Sequence, residues 1–124
     1  MARYFMLLVL TLVAAVELSA QTAVYSRTFY RDTGKPVQEA DTFVTPGGRN
    51  YIVRVINGDM NGNNRATSGV IMLNGRVIAT PADFKHKVPE FTTEAAAEEV
   101  NEIIVEVRGK PGSAVTVLVE RPPE

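Results

Sequence analysis

Cysteine and tryptophan are absent from this 124-residue chain, and histidine occurs once, as His86. Without cysteine there are no disulfides, thiolate metal sites, thiol nucleophiles or lipidated N-terminal cysteine. A single histidine excludes a multi-histidine metal site built by one chain. Neither sign of charge dominates: 13 Lys and Arg stand against 14 Asp and Glu, a formal net charge of −1. No basic stripe is left over to neutralise a phosphate backbone, so nucleic acid is not an expected partner. These absences remove most enzyme classes, and no residue set asks for a cofactor or a metal.

Long apolar runs are also missing, save one. Phe5 to Val16 contains Thr11 as its one polar residue, behind Arg3 and ahead of Glu17-Leu18-Ser19-Ala20. A charged start, an apolar middle and a small-residue exit are the three parts of a secretory signal peptide. A membrane-spanning helix needs roughly 20 apolar residues, and Glu17 interrupts this run. The expected organisation is a signal peptide over 1–20, cut after Ala20, and one domain over 21–124. The destination is then periplasmic or extracellular, with no stable membrane anchor after cleavage. About 100 residues can bury roughly two thirds of the unfolded surface. Apolar packing and strand pairing must therefore hold an exported domain in which disulfides would be usual.

What is present is alternation. In Tyr51-Ile52-Val53-Arg54-Val55-Ile56, Tyr51, Val53 and Val55 share one face. Ile103, Val105 and Val107 do the same, as do Val115, Val117 and Val119. Period two with β-branched residues predicts half-buried strands. Asn74-Gly75 sits between two apolar runs and suits a two-residue type I′ hairpin, which would set Leu73 opposite Arg76 and Met72 opposite Val77. Asp32-Thr33-Gly34-Lys35-Pro36, Pro46-Gly47-Gly48 and Gly109-Lys110-Pro111-Gly112 punctuate the rest. About eight strands follow, over 23–31, 37–45, 50–57, 67–73, 76–80, 86–93, 101–108 and 113–121. The fold class is all-β, a two-sheet antiparallel sandwich, Ig-like or jelly-roll. Val53, Val55, Ile71, Leu73, Ile103, Val105, Val107, Val115, Val117 and Val119 are the expected core. Glu94-Ala95-Ala96-Ala97-Glu98-Glu99 favours helix by propensity, so a helical turn is expected between Thr92 and Val100.

Candidate chemistry is sparse. Asp32-Thr33-Gly34 matches the catalytic triplet of aspartic proteases, whose chemistry needs two Asp side chains sharing a proton. Here Lys35 and Pro36 follow directly, and a β-turn is the expected structure. Asp59, Asn61 and Asn63 alternate like the start of a calcium loop, but Asn64 and Val70 stand where an EF-hand requires Gly and Glu. His86 lies between Lys85 and Lys87 and reads as an exposed histidine. Gly109-Lys110-Pro111-Gly112-Ser113 lacks the spacing of a P-loop. No residue is assigned as catalytic, cofactor-binding or metal-ligating. The longest polar connection, Asn57 to Thr67, is the expected place for a partner, or else an ordinary mobile loop.

Phe43, Tyr51-Ile52-Val53, Asn57-Gly58, Ser68-Gly69-Val70-Ile71-Met72-Leu73-Asn74-Gly75 and the run Asn101 to Ser113 form a pattern. It resembles the β-sandwich modules of bacterial secreted and cell-surface proteins, over most of residues 24–121. The resemblance implies a non-catalytic module that binds a protein or glycan partner or serves structurally. The Tyr-x-Val-x-Val and Leu-Asn-Gly rhythm is similar, more weakly, to that of carbohydrate-binding jelly-roll modules. Such modules present aromatic platforms, and Tyr25, Tyr30 and Tyr51 are the tyrosines that could serve.

Overall fold

The alternating runs are all strands. A computed structural model describes residues 23–84 and 88–122; the expected signal peptide with its cut after Ala20, and His86, lie outside them. The elements are β1 (Ala23–Tyr30), β2 (Gln38–Val44), β3 (Arg49–Ile56), β4 (Ser68–Leu73) and β5 (Arg76–Ala79), then a 3-10 turn (Pro81–Asp83). β6 (Glu90–Ala97), β7 (Val100–Arg108) and β8 (Ala114–Glu120) complete them. One sheet has the order β1-β8-β3-β6 and the other β2-β7-β4-β5. Every pairing between these strands is antiparallel. The pairs nest: β4 with β5, β3 with β6, β2 with β7, β1 with β8. That nesting, divided over two facing sheets, is jelly-roll topology and decides against the Ig-like alternative.

The hairpin at Asn74-Gly75 has both central residues at positive φ, 52° and 80°. Leu73 faces Arg76 and Met72 faces Val77, the register a two-residue I′ turn imposes. All ten expected core residues are buried, and Phe29, Phe43, Tyr51, Ala66, Ala79, Phe84 and Ala97 join them. Each fully buried Val, Leu, Ile or Phe contributes about 1.5–3 kcal/mol of transfer free energy. Phe84 caps the core where Gly69 makes room: a Cβ there would stand 3.3 Å from the Phe84 ring and 3.1 Å from the Glu106 carbonyl oxygen.

Thr92 to Val100 corrects the sequence reading. The helical turn expected there is absent, because β6 runs on to Ala97 and starts at Glu90 rather than 86. Its register against β3 is continuous, from Ile56↔Glu90 to Arg49↔Ala97. Phe91, Thr93, Ala95 and Ala97 turn inward while Glu90, Thr92, Glu94 and Ala96 are exposed. Helix propensity is worth tenths of a kcal/mol per residue, and one short run of it yields to a ladder of hydrogen bonds with a burying face.

Three buried polar clasps hold the loops. Asn57, fully buried, donates from Nδ2 to the Ala66 carbonyl (3.1 Å) and accepts the Ala66 N–H on Oδ1 (2.8 Å). Asn101 Nδ2 donates to the Glu98 carbonyl (2.7 Å), and its Oδ1 accepts from Glu98 N (2.8 Å) and Asn74 Nδ2 (2.9 Å), tying the β6–β7 turn to the hairpin. The Tyr51 hydroxyl donates to the Pro46 carbonyl (2.7 Å) and accepts from Thr45 Oγ1 (3.0 Å).

Candidate functional site

β1 is an edge of one sheet and β2 an edge of the other, so the chain must cross the mouth of the sandwich between them. Near the start of β1 the two edges are laced together. The Tyr25 hydroxyl donates to Asp41 Oδ2 (2.8 Å), and its ring stacks on Phe43 at 4.6 Å between centroids. Arg27 donates from Nη2 to Glu39 Oε1 (2.8 Å) and pairs through Nη1 with Asp41 Oδ2 (3.1 Å). Its guanidinium also lies 4.7 Å from the Phe29 ring centroid. Hydrogen bonds from Tyr25, Arg27 and the Thr42 N–H hold the Asp41 carboxyl below the usual carboxylate range. Burial, with Asp41 next, pushes the Tyr25 phenol up, so it stays a donor.

From the Arg27–Glu39 pair onward the edges part into a cleft of about 440 Å³, with that pair in its wall. Val105 and Val107 of β7 line it from the core side; Tyr30, Arg31, Asp32, Lys35 and Val37 line it along the β1–β2 connection. Tyr30 and Val37 are 55% and 76% exposed, among the most exposed large apolar side chains described. The Arg31 backbone is pinned to the β7–β8 turn, its N–H donating to the Ser113 carbonyl and its own carbonyl accepting from Gly112 N, both at 2.8 Å. Its Nη2 donates to the Gly34 carbonyl, while its Nε is buried with no acceptor. The opposite mouth of the sandwich, between β5 and β6, forms a cleft of about 420 Å³ with Arg76 and Glu94 as its charged groups.

Asp32, Thr33 and Gly34 are exposed on the β1–β2 connection, with Gly34 at φ +91°, and Asp32 shares the cleft lining with Arg31 and Lys35. Asp59 Oδ1 accepts the backbone N–H groups of Asn61 (2.8 Å) and Asn63 (3.0 Å), so it shapes its own loop. That loop is knit into the domain: Ala114 N donates to the Asn64 carbonyl (2.7 Å) and Thr116 Oγ1 to the Gly58 carbonyl (2.9 Å). Tyr51 is buried and Tyr25 is committed to Phe43 and Asp41, which leaves Tyr30 as the exposed tyrosine among the three. Sequence reading passed over Arg31. Its one signal was the charge density of Arg31-Asp32-Thr33-Gly34-Lys35 at a strand end.

No protein-family model matches the chain, and no curated protein does. Among solved structures it is similar to a β-glucosidase from Kluyveromyces marxianus, with 18% identity and a TM-score of 0.48. The match covers 72% of this chain and 10% of that one, so the chain spans about a tenth of that enzyme's length. A likeness of this extent carries no argument about activity.

Proposed function

We propose that this chain is an exported, non-catalytic binding module that takes its ligand in the cleft between β1 and β2. The observation that supports this reading most is the cleft itself. Its volume falls in the range of small-ligand sites, and it combines exposed apolar groups, Tyr30 and Val37, with charged ones, Asp32 and Lys35. The non-catalytic part rests on the sequence, in which no nucleophile–base pair or carboxylate dyad stands out. Export rests on the signal-peptide pattern of residues 1–20.

Binding is tested by filling the cleft. Val37→Arg leaves the core untouched and should abolish partner capture from an envelope fraction without lowering the melting temperature. Capture unchanged by that variant places the ligand elsewhere. Peptide hydrolysis that disappears with Asp32→Asn restores the protease reading. Intact-mass measurement on protein from the native host should give a chain starting near Gln21.

One observation favours carbohydrate as the ligand. Tyr30, the exposed tyrosine, lines the cleft and offers an aromatic face of the kind on which a pyranose ring packs.

A further inference from the structure

Among the described residues, four arginines are half-buried: Arg27, Arg31, Arg54 and Arg108. Three of them meet carboxylates. Arg27 pairs with Glu39 and Asp41, Arg54 with Glu120 (2.6 Å) and Glu90 (3.2 Å), and Arg108 with Glu106. Arg31 meets none. It spends one N–H on the Gly34 carbonyl and keeps a buried Nε with no acceptor. The buried part is Nε alone, and a buried donor without an acceptor is costly, a cost that an anion bound beside it would relieve. Lys35, also in the cleft, makes no ion pair among the described residues. The two anions of the lining differ in availability. Glu39 is occupied by Arg27, whereas Asp32 is exposed and can accept hydrogen bonds from hydroxyls.

We infer that the cleft binds an acidic sugar, with Arg31 and Lys35 receiving its carboxylate, Asp32 accepting from its hydroxyls and Tyr30 packing against its ring. The inference rests on the proposed cleft reading and adds the charge of the ligand. Arginine presents a planar fork that matches a carboxylate, and lysine a mobile second charge, so together they suit an anion carried on a larger body. The carboxylate of Asp32 and the ring of Tyr30 would add little to an acidic peptide, but both have uses on a hydroxylated ring.

Titration calorimetry with trigalacturonate, neutral galactotriose and triglutamate tests it on the domain. Trigalacturonate should bind at least tenfold more tightly than galactotriose. Its affinity should fall as salt rises from about 0.05 to 0.5 M, as expected for exposed charges. Arg31→Gln and Lys35→Gln should each weaken it about tenfold or more, the effect of losing one charge-assisted contact. Arg31→Gln also removes the bond to Gly34, so Lys35→Gln, which breaks no framework contact, keeps the outcome interpretable at an unchanged melting temperature. Equal binding of galactotriose, untouched by either variant, overturns the anionic ligand; if Tyr30→Ala then abolishes it, the cleft reading survives. Binding of triglutamate in preference to trigalacturonate overturns the sugar. No binding of any probe at millimolar concentration overturns the inference as a whole.

Discussion

Asn57 offers the sharpest test of how this sandwich holds its loops. Its side chain imitates a strand neighbour, offering one donor and one acceptor to the backbone of Ala66, and both residues are 0% exposed. Asn57→Ala removes both bonds and leaves the Ala66 N–H and C=O without partners. An unsatisfied buried polar group costs about 1–3 kcal/mol, so two of them should cost the variant about 2–6 kcal/mol. That is a large share of the 5–15 kcal/mol typical of a domain. Asn57→Asp separates the two bonds. The carboxylate still accepts the N–H, but it turns a second oxygen on the Ala66 carbonyl in a fully buried site. Its folded pKa should therefore lie above the ordinary carboxylate value, because only the neutral acid can donate to that carbonyl. The folded variant then binds more protons than the unfolded chain between those two values, so its stability falls as pH rises through that window. Urea unfolding of the wild type and both variants, from pH 4 to 8, reads both effects. An alanine variant within about 0.5 kcal/mol of the wild type would refute the reasoning, since a surface substitution would do as much. An aspartate variant with the wild-type pH dependence would refute the orientation of the amide.

Other substitutions follow from the same contacts. Val105→Asp places an unpaired charge between the sheets, where the side chain is 1% exposed, and should cost several kcal/mol and abolish the strand signal in far-UV circular dichroism. Gly69→Ala should lower stability by about 1–3 kcal/mol through contact with the Phe84 ring, and Phe84→Leu in the same chain should recover part of it in a double-mutant cycle. Asp41 has a folded pKa lowered by Tyr25, Arg27 and Thr42, so its contribution is complete above the unfolded value and lost as pH falls from there through the folded one. Asp41→Asn should flatten that acid limb in a plot of melting temperature against pH.

The strands were legible because alternation is local: Val53, Val55, Ile103, Val105 and Val115 to Val119 announce which face is buried wherever the partner lies. The hairpin was legible for a similar reason, since Asn74-Gly75 satisfies its own φ requirement. What escaped the sequence depends on partners distant along the chain. Ala95 to Ala97 has helix propensity in isolation and becomes strand because β3 offers eight facing positions. Asn57 reads as part of a polar connection and Asn101 as the start of a strand, and the hydrogen-bonding capacity of their amides lets both substitute for backbone inside the core. The 57–67 connection reads as length beyond need, yet its carbonyls at Gly58 and Asn64 are bound by β8. Arg31 is one arginine among several until the sheets meet, and Glu39 and Asp41 are seen to be taken by Arg27.

The nested pairing also sets an order of assembly. The β4–β5 hairpin can close as soon as both strands exist, but each further pair joins segments more distant along the chain, and β1 waits for β8. Contacts that remote are slow to form, on the scale of milliseconds to seconds for such topologies. β8 lies between β1 and β3, so a chain interrupted before Ala114 leaves both of those strands with a bare edge. Synthesis therefore delivers the N-terminal strand long before its template. The first sheet therefore stays open through almost the whole of synthesis and closes only with the last strand.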